Sequence, residues 1–98
     1  MLKRIVKMVF RKEETENFKK LFNEKKTLIR DCKGCNHLEL WQSKTDPRIF
    51  FTYSFWDSEA DLENYRNSEL FDETWRKTKA LFDGKPEAWS VTGLEYLP

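Results

Sequence analysis

The chain has 98 residues, 18 Lys plus Arg against 17 Asp plus Glu, and a net charge of +1. That length holds a single domain, 1–98, able to bury roughly two-thirds of its unfolded surface without disulfide or metal staples. So balanced a charge supplies no basic field for nucleic acid or an anionic membrane, and no uncharged apolar run approaches the ~20 residues of a membrane helix.

The opening run Met1-Leu2-Lys3-Arg4-Ile5-Val6-Lys7 loses its apolar character at Lys7 and has no small-residue cleavage site. No secretory signal is read there, and a cytoplasmic location is expected. Lys3 to Phe10 alternates Ile5, Lys7 and Val9 against Arg4, Val6, Met8 and Phe10, which predicts a strand with one better-buried face. From Glu13 to Arg30 the period changes. Phe18, Leu21, Phe22, Leu28 and Ile29, with Cys32, recur at three- and four-residue steps between Lys and Glu, the pattern of an amphipathic helix that Gly34 would stop. Cys32 and Cys35 have the spacing of a redox pair, but they follow a helix C-terminus, whose dipole disfavours a thiolate. With His37 they make three zinc ligands where a structural site wants four, so two structural thiols are expected and no metal.

Asn36 to Gln42 sets Leu38 and Leu40 against His37, Glu39 and Trp41, a second strand. The polar linker Ser43 to Arg48, with Asp46-Pro47 inside it, turns the chain back into a hairpin. The third strand, Ile49 to Trp56, holds Phe50, Phe51, Tyr53, Phe55 and Trp56. Successive side chains alternate, so both of its faces are apolar and both need cover. Ser58-Glu59-Ala60-Asp61 matches a capping box and starts a short helix to about Arg66. Ser68 caps the next helix, in which Phe71, Thr74 or Trp75, Thr78, Leu81 and Phe82 recur before Gly84 and Pro86. Trp89, Val91, Leu94 and Tyr96 predict a fourth strand over 88–97, with Gly93 at a bulge.

This order predicts an α+β fold, a ferredoxin-like four-stranded antiparallel sheet with its helices on one face. One helical layer cannot cover both sides of the aromatic strand. A homodimer through the open sheet face, a dimeric α+β barrel, is the economical cover.

Three runs carry a resemblance to a known family: Gly34-Cys35-Asn36-His37-Leu38-Glu39-Leu40, Phe51-Thr52-Tyr53-Ser54-Phe55-Trp56-Asp57-Ser58-Glu59-Ala60 and Tyr65-Arg66-Asn67-Ser68-Glu69-Leu70-Phe71. They resemble the antibiotic biosynthesis monooxygenase (ABM) domain over nearly the whole chain. Members of that family share a scaffold and differ in chemistry. The resemblance implies three possible activities. Haem-degrading members use an Asn on strand one, a Trp ending strand three and a His on the last helix. Here only Trp56 is present, because Leu2 to Phe10 contains no Asn and Ser68 to Phe82 no His. Cofactor-independent monooxygenases instead oxidise a quinol or polyphenol in an apolar slot. On that reading His37, Trp56, Tyr65 and Arg66 are the candidate catalytic residues and Tyr53, Phe55, Phe71 and Trp75 the candidate pocket, with no cofactor. Active relatives carry His residues near the start of the last helix, where this chain has Tyr65 and Leu70. The third possibility is a non-catalytic dimer that holds a small aromatic ligand. Each candidate also has a structural reading: His37 as a hydrogen-bonded surface residue, Trp56 as core, Tyr65 and Trp75 as helix packing, and Arg66 as the partner of a surface carboxylate.

Overall fold

A computed structural model describes residues 1–98. Strand β1 (Leu2–Val9) leads through a short 3-10 turn, Lys12–Glu14, into helix α1 (Thr15–Arg30). The hairpin β2 (Cys35–Gln42) and β3 (Ile49–Trp56) follows, then α2 (Glu59–Arg66), α3 (Glu69–Lys79) and β4 (Glu87–Thr92). The strands form one antiparallel sheet in the order β2-β3-β1-β4, the ferredoxin-like α+β arrangement the sequence predicts.

The two aromatic faces of β3 meet different surroundings. Phe50, Ser54 and Trp56 are buried beneath the helices, and Arg4, Val6, Met8, Leu38, Leu40, Ala88 and Ser90 share that side of the sheet by register. The core centres there: Phe10 stacks on Phe18 at 4.1 Å and meets the edge of Phe50 at 5.6 Å. The opposite side presents Ile5, Trp41, Phe51, Tyr53, Phe55 and Trp89, with no helix over it. Lys3, Lys7, His37 and Glu39 stand among them, and Trp41 and Trp89 stay 39% and 44% exposed, so the open face is an aromatic-rich surface without cover from its own chain.

Both predicted Ser caps form. Ser58 Oγ accepts from the Asp61 amide at 3.1 Å and Ser68 Oγ from the Phe71 amide at 3.1 Å, each satisfying an amide the first helical turn leaves free. Two boundaries and one burial differ from the pattern. Strand β4 ends at Thr92 rather than Leu97, because its partner Leu2 is the first residue of β1 and the ladder runs out. Helix α3 ends at Lys79, since Leu81 and Phe82 leave it to reach the end of β1: the Arg11 amide donates to Leu81 O and the Asp83 amide to Val9 O. Leu28 stays 54% exposed, since α1 turns Phe18, Leu21 and Ile29 to the sheet and leaves position 28 at the edge of that stripe.

Gly34 closes the α1–β2 connection at φ +83°, a conformation open to glycine, and a Cβ there would collide with the Asp61 side chain. A bulge follows between Cys35 and His37. The extra residue, Asn36, donates to Asp57 Oδ1 at 2.6 Å and so ties the start of β2 to the end of β3. No helix is long and apolar enough to cross a membrane.

Candidate functional site

Between the covered side of the sheet and the three helices lies a cavity of about 250 Å³. Its floor is Arg4, Val6 and Met8 of β1 with Leu38, Thr52 and Ser54 of the hairpin. Its roof comes from Phe18, Leu21 and Phe22 of α1, Leu62, Tyr65 and Arg66 of α2, and Phe71, Thr74 and Trp75 of α3. The aromatic rings are held in series. Trp56 stacks on Tyr65 at 5.1 Å, Tyr65 meets the edge of Phe71 at 5.2 Å, and Phe71 stacks on Trp75 at 5.8 Å. Each ring packs on its neighbour in an offset-stacked or edge-on geometry.

Trp56 is only 1% exposed, so it closes an end of the cavity rather than standing in it. Its indole N–H donates to Ser54 Oγ at 3.0 Å and is not free for a ligand. Burial pushes the Tyr65 phenol well above its ordinary range, with the two nearby cysteines adding to the effect, so this hydroxyl stays protonated. Thr74 Oγ1 is buried without any hydrogen-bond partner, whereas Thr78, one turn on, donates to Thr74 O at 2.7 Å. An orphaned hydroxyl on a cavity wall is a group that a bound molecule would satisfy.

The charges at the cavity are Arg4 and Arg66; no His, Asp or Glu lines it. Arg4 donates to Ser90 Oγ at 3.0 Å, and Arg66 lies 3.5 Å from Glu63. Burial lowers the Arg4 pKa, and the neighbouring Arg66 charge lowers it further. The sequence reading missed Arg4. Its signal was a cation on the better-buried face of a strand, in phase with Val6 and Met8.

The predicted site residues divide between two faces. Trp56, Tyr65, Arg66, Phe71 and Trp75 surround the cavity. His37, Tyr53 and Phe55 do not join them: they stand on the open face, His37 against Phe55 at 4.7 Å and against Tyr53 at 6.3 Å. The reason is the pleat. Tyr53 and Phe55 are odd neighbours of an even Trp56, and the register sets His37 opposite Phe55. Glu39 accepts hydrogen bonds from His37 and from Trp41 Nε1, which hold its carboxyl below the usual range. Cys32 and Cys35 are free thiols packed behind Trp56, Leu62 and Tyr65 without lining the cavity, and burial raises both pKa values.

The donor set does not fit haem. No His or Cys faces the cavity to bind iron, and no group of three His, Cys, Asp or Glu is placed to hold a metal.

The chain is similar in fold to an antibiotic biosynthesis monooxygenase of known structure, at 20% identity and a TM-score of 0.90 over 97% of this chain and 100% of that one. It is similar to a conserved protein from Methanosarcina mazei Go1 at 19% identity and 0.87, over 92% and 89% of the two chains. A Pseudomonas aeruginosa protein aligns at 22% identity and 0.85, over 96% and 94%. No curated protein sequence matches the chain. At these identities the structural neighbours establish the fold alone. The sequence model of the antibiotic biosynthesis monooxygenase family matches residues 1–77, from β1 through most of α3 and so through nearly every residue around the cavity. The chain therefore belongs to the antibiotic biosynthesis monooxygenase family.

Proposed function

We propose that this protein is a homodimeric, cofactor-independent monooxygenase that oxygenates a small flat phenol, a quinol or polyphenol, in the cavity beneath the helices. The observation that carries this reading is the cavity itself: about 250 Å³, walled by Tyr65, Phe71 and Trp75, with two guanidinium groups and an unpartnered hydroxyl on an otherwise apolar lining. Small-molecule sites have this composition, an apolar slot with a few placed polar groups.

The electropositive arginines favour the anionic form of a bound phenol. The phenolate passes one electron to dioxygen, and the resulting radical pair couples at a ring carbon to form a C–O bond. The hydroperoxide then loses water, so that one quinol and one dioxygen give one hydroxyquinone and one water. Trp56, Tyr65 and Arg66 bound the reacting ring, with Phe71 and Trp75 as walls. His37, Tyr53 and Phe55 belong to the other function of the fold, the aromatic-rich open face that a second copy of the chain covers.

Oxygen uptake over a panel of quinols tests the reading. Consumption above spontaneous autoxidation, with hydroxyquinone formed one for one with dioxygen, is the expected result; no rate above background for any substrate would overturn it. One observation favours a second reading, a protein that binds an aromatic molecule without turning it over: no carboxylate or imidazole lines the cavity to take the phenol proton. Saturable binding with no oxygen consumed would establish that alternative.

A further inference from the structure

We propose that Arg4 and Arg66 form an anion subsite at the edge of the cavity, so that the molecule it takes is an aromatic ring bearing a carboxylate. This rests on the cavity being the binding site. The two guanidinium groups come from different elements, the third residue of β1 and the last residue of α2, and both border the aromatic cavity and the shallower groove outside it.

Neither cation is well matched by the protein. Arg4 has no carboxylate within salt-bridge distance, and its hydrogen bond to the neutral Ser90 hydroxyl uses one of its several N–H donors. Arg66 meets Glu63 at 3.5 Å, a loose contact between largely exposed groups. Glu59 and Glu63 line the outer groove and not the cavity, so the cavity's own lining carries two like charges and no carboxylate. Burial and the Arg66 charge both disfavour the charged form of Arg4 and Glu63 offsets them only in part, an unfavourable arrangement that a bound anion would reverse.

The shape of the lining selects the anion. The cavity is bounded by flat rings from Trp56 to Trp75, and a carboxylate is planar, conjugates with an aromatic ring and matches guanidinium forks edge to edge. The buried, unpartnered Thr74 hydroxyl on the same lining is the second sign of an absent ligand, since a hydroxyl on the ring would give it a partner. The substrates that fit best are therefore quinols or polyphenols that also carry a carboxylate on the ring.

Binding separates this proposal from catalysis. Titration calorimetry with 2-naphthoate and with its neutral counterpart 2-naphthamide should show the carboxylate binding at least tenfold more tightly. R4Q and R66Q should each abolish that preference while keeping affinity for the amide, which shows that the variant is folded and the cavity intact. R4K should retain part of the preference. Equal affinity for the two probes, or a preference that survives both Gln substitutions, would overturn the subsite and leave the cavity reading standing. Failure of both probes to bind would overturn the two together.

Discussion

Trp56 has the most at stake of any single side chain. It is buried to 1% exposure, stacks on Tyr65 and satisfies Ser54. Truncation to Ala should cost about 3–5 kcal/mol, the usual range for a buried large aromatic, read as a lower urea midpoint at unchanged slope; a loss below about 1 kcal/mol would place Trp56 outside the core. Tyr65 bears on pH. Its folded pKa is raised above the ordinary 10.0, as those of Cys32 and Cys35 are above 9.0. Raised folded values mean that the stabilisation is fully present below the unfolded pKa and is lost as pH climbs through and beyond it. Thermal midpoints should therefore fall above pH 9, and Tyr65→Phe should make the decline above pH 10 shallower; identical alkaline slopes would contradict the burial of that phenol. At this scale the sequence exposed the aromatic residues and hid the cation. Trp56 and Tyr65 were legible from type and position, whereas Arg4 looked like one of many surface charges until its strand acquired a buried side.

At the scale of elements, the connection from α1 to β2 is the tightest joint. Gly34 takes a positive φ, accepts a hydrogen bond from the Asp57 amide on its carbonyl oxygen at 2.8 Å, and leaves no room for a Cβ beside Asp61. Gly34→Ala should destabilise the fold by about 1–3 kcal/mol. Adding Asp61→Ala should relieve the collision but not the backbone strain, so recovery in urea denaturation should be partial; full recovery would mean that the φ angle carries no cost. Strand alternation, caps and turn chemistry fixed β1, α1, β2, β3 and α2 closely, because those signals are local. The ends of β4 and α3 were illegible for a physical reason: Thr92 stops where β1 stops, and Lys79 stops where Phe82 must meet Phe10. The same alternation should have separated Tyr53 and Phe55 from Trp56, and only the pairing of β2 with β3 sent His37 with them to the open face.

For the whole molecule, the open face and the cavity assign two roles to opposite sides of one sheet. In the proposed dimer a second copy covers the open side, so light scattering should give about twice the chain mass of 11.9 kDa. Tyr53→Glu, which sets a charge in the middle of that side, should yield a folded monomer; a wild-type monomer would contradict the dimer. The other side is the candidate site, and the four tryptophans report on the two sides separately: Trp56 and Trp75 border the cavity, while Trp41 and Trp89 lie on the open face. Indole N–H signals of protein labelled with nitrogen-15 at tryptophan, assigned by single Trp→Phe variants, should be followed while 2-naphthoate is added. Saturable shifts of Trp56 and Trp75, with Trp41 and Trp89 unmoved, are the result expected of an aromatic site beneath the helices; shifts confined to Trp41 and Trp89 would contradict it.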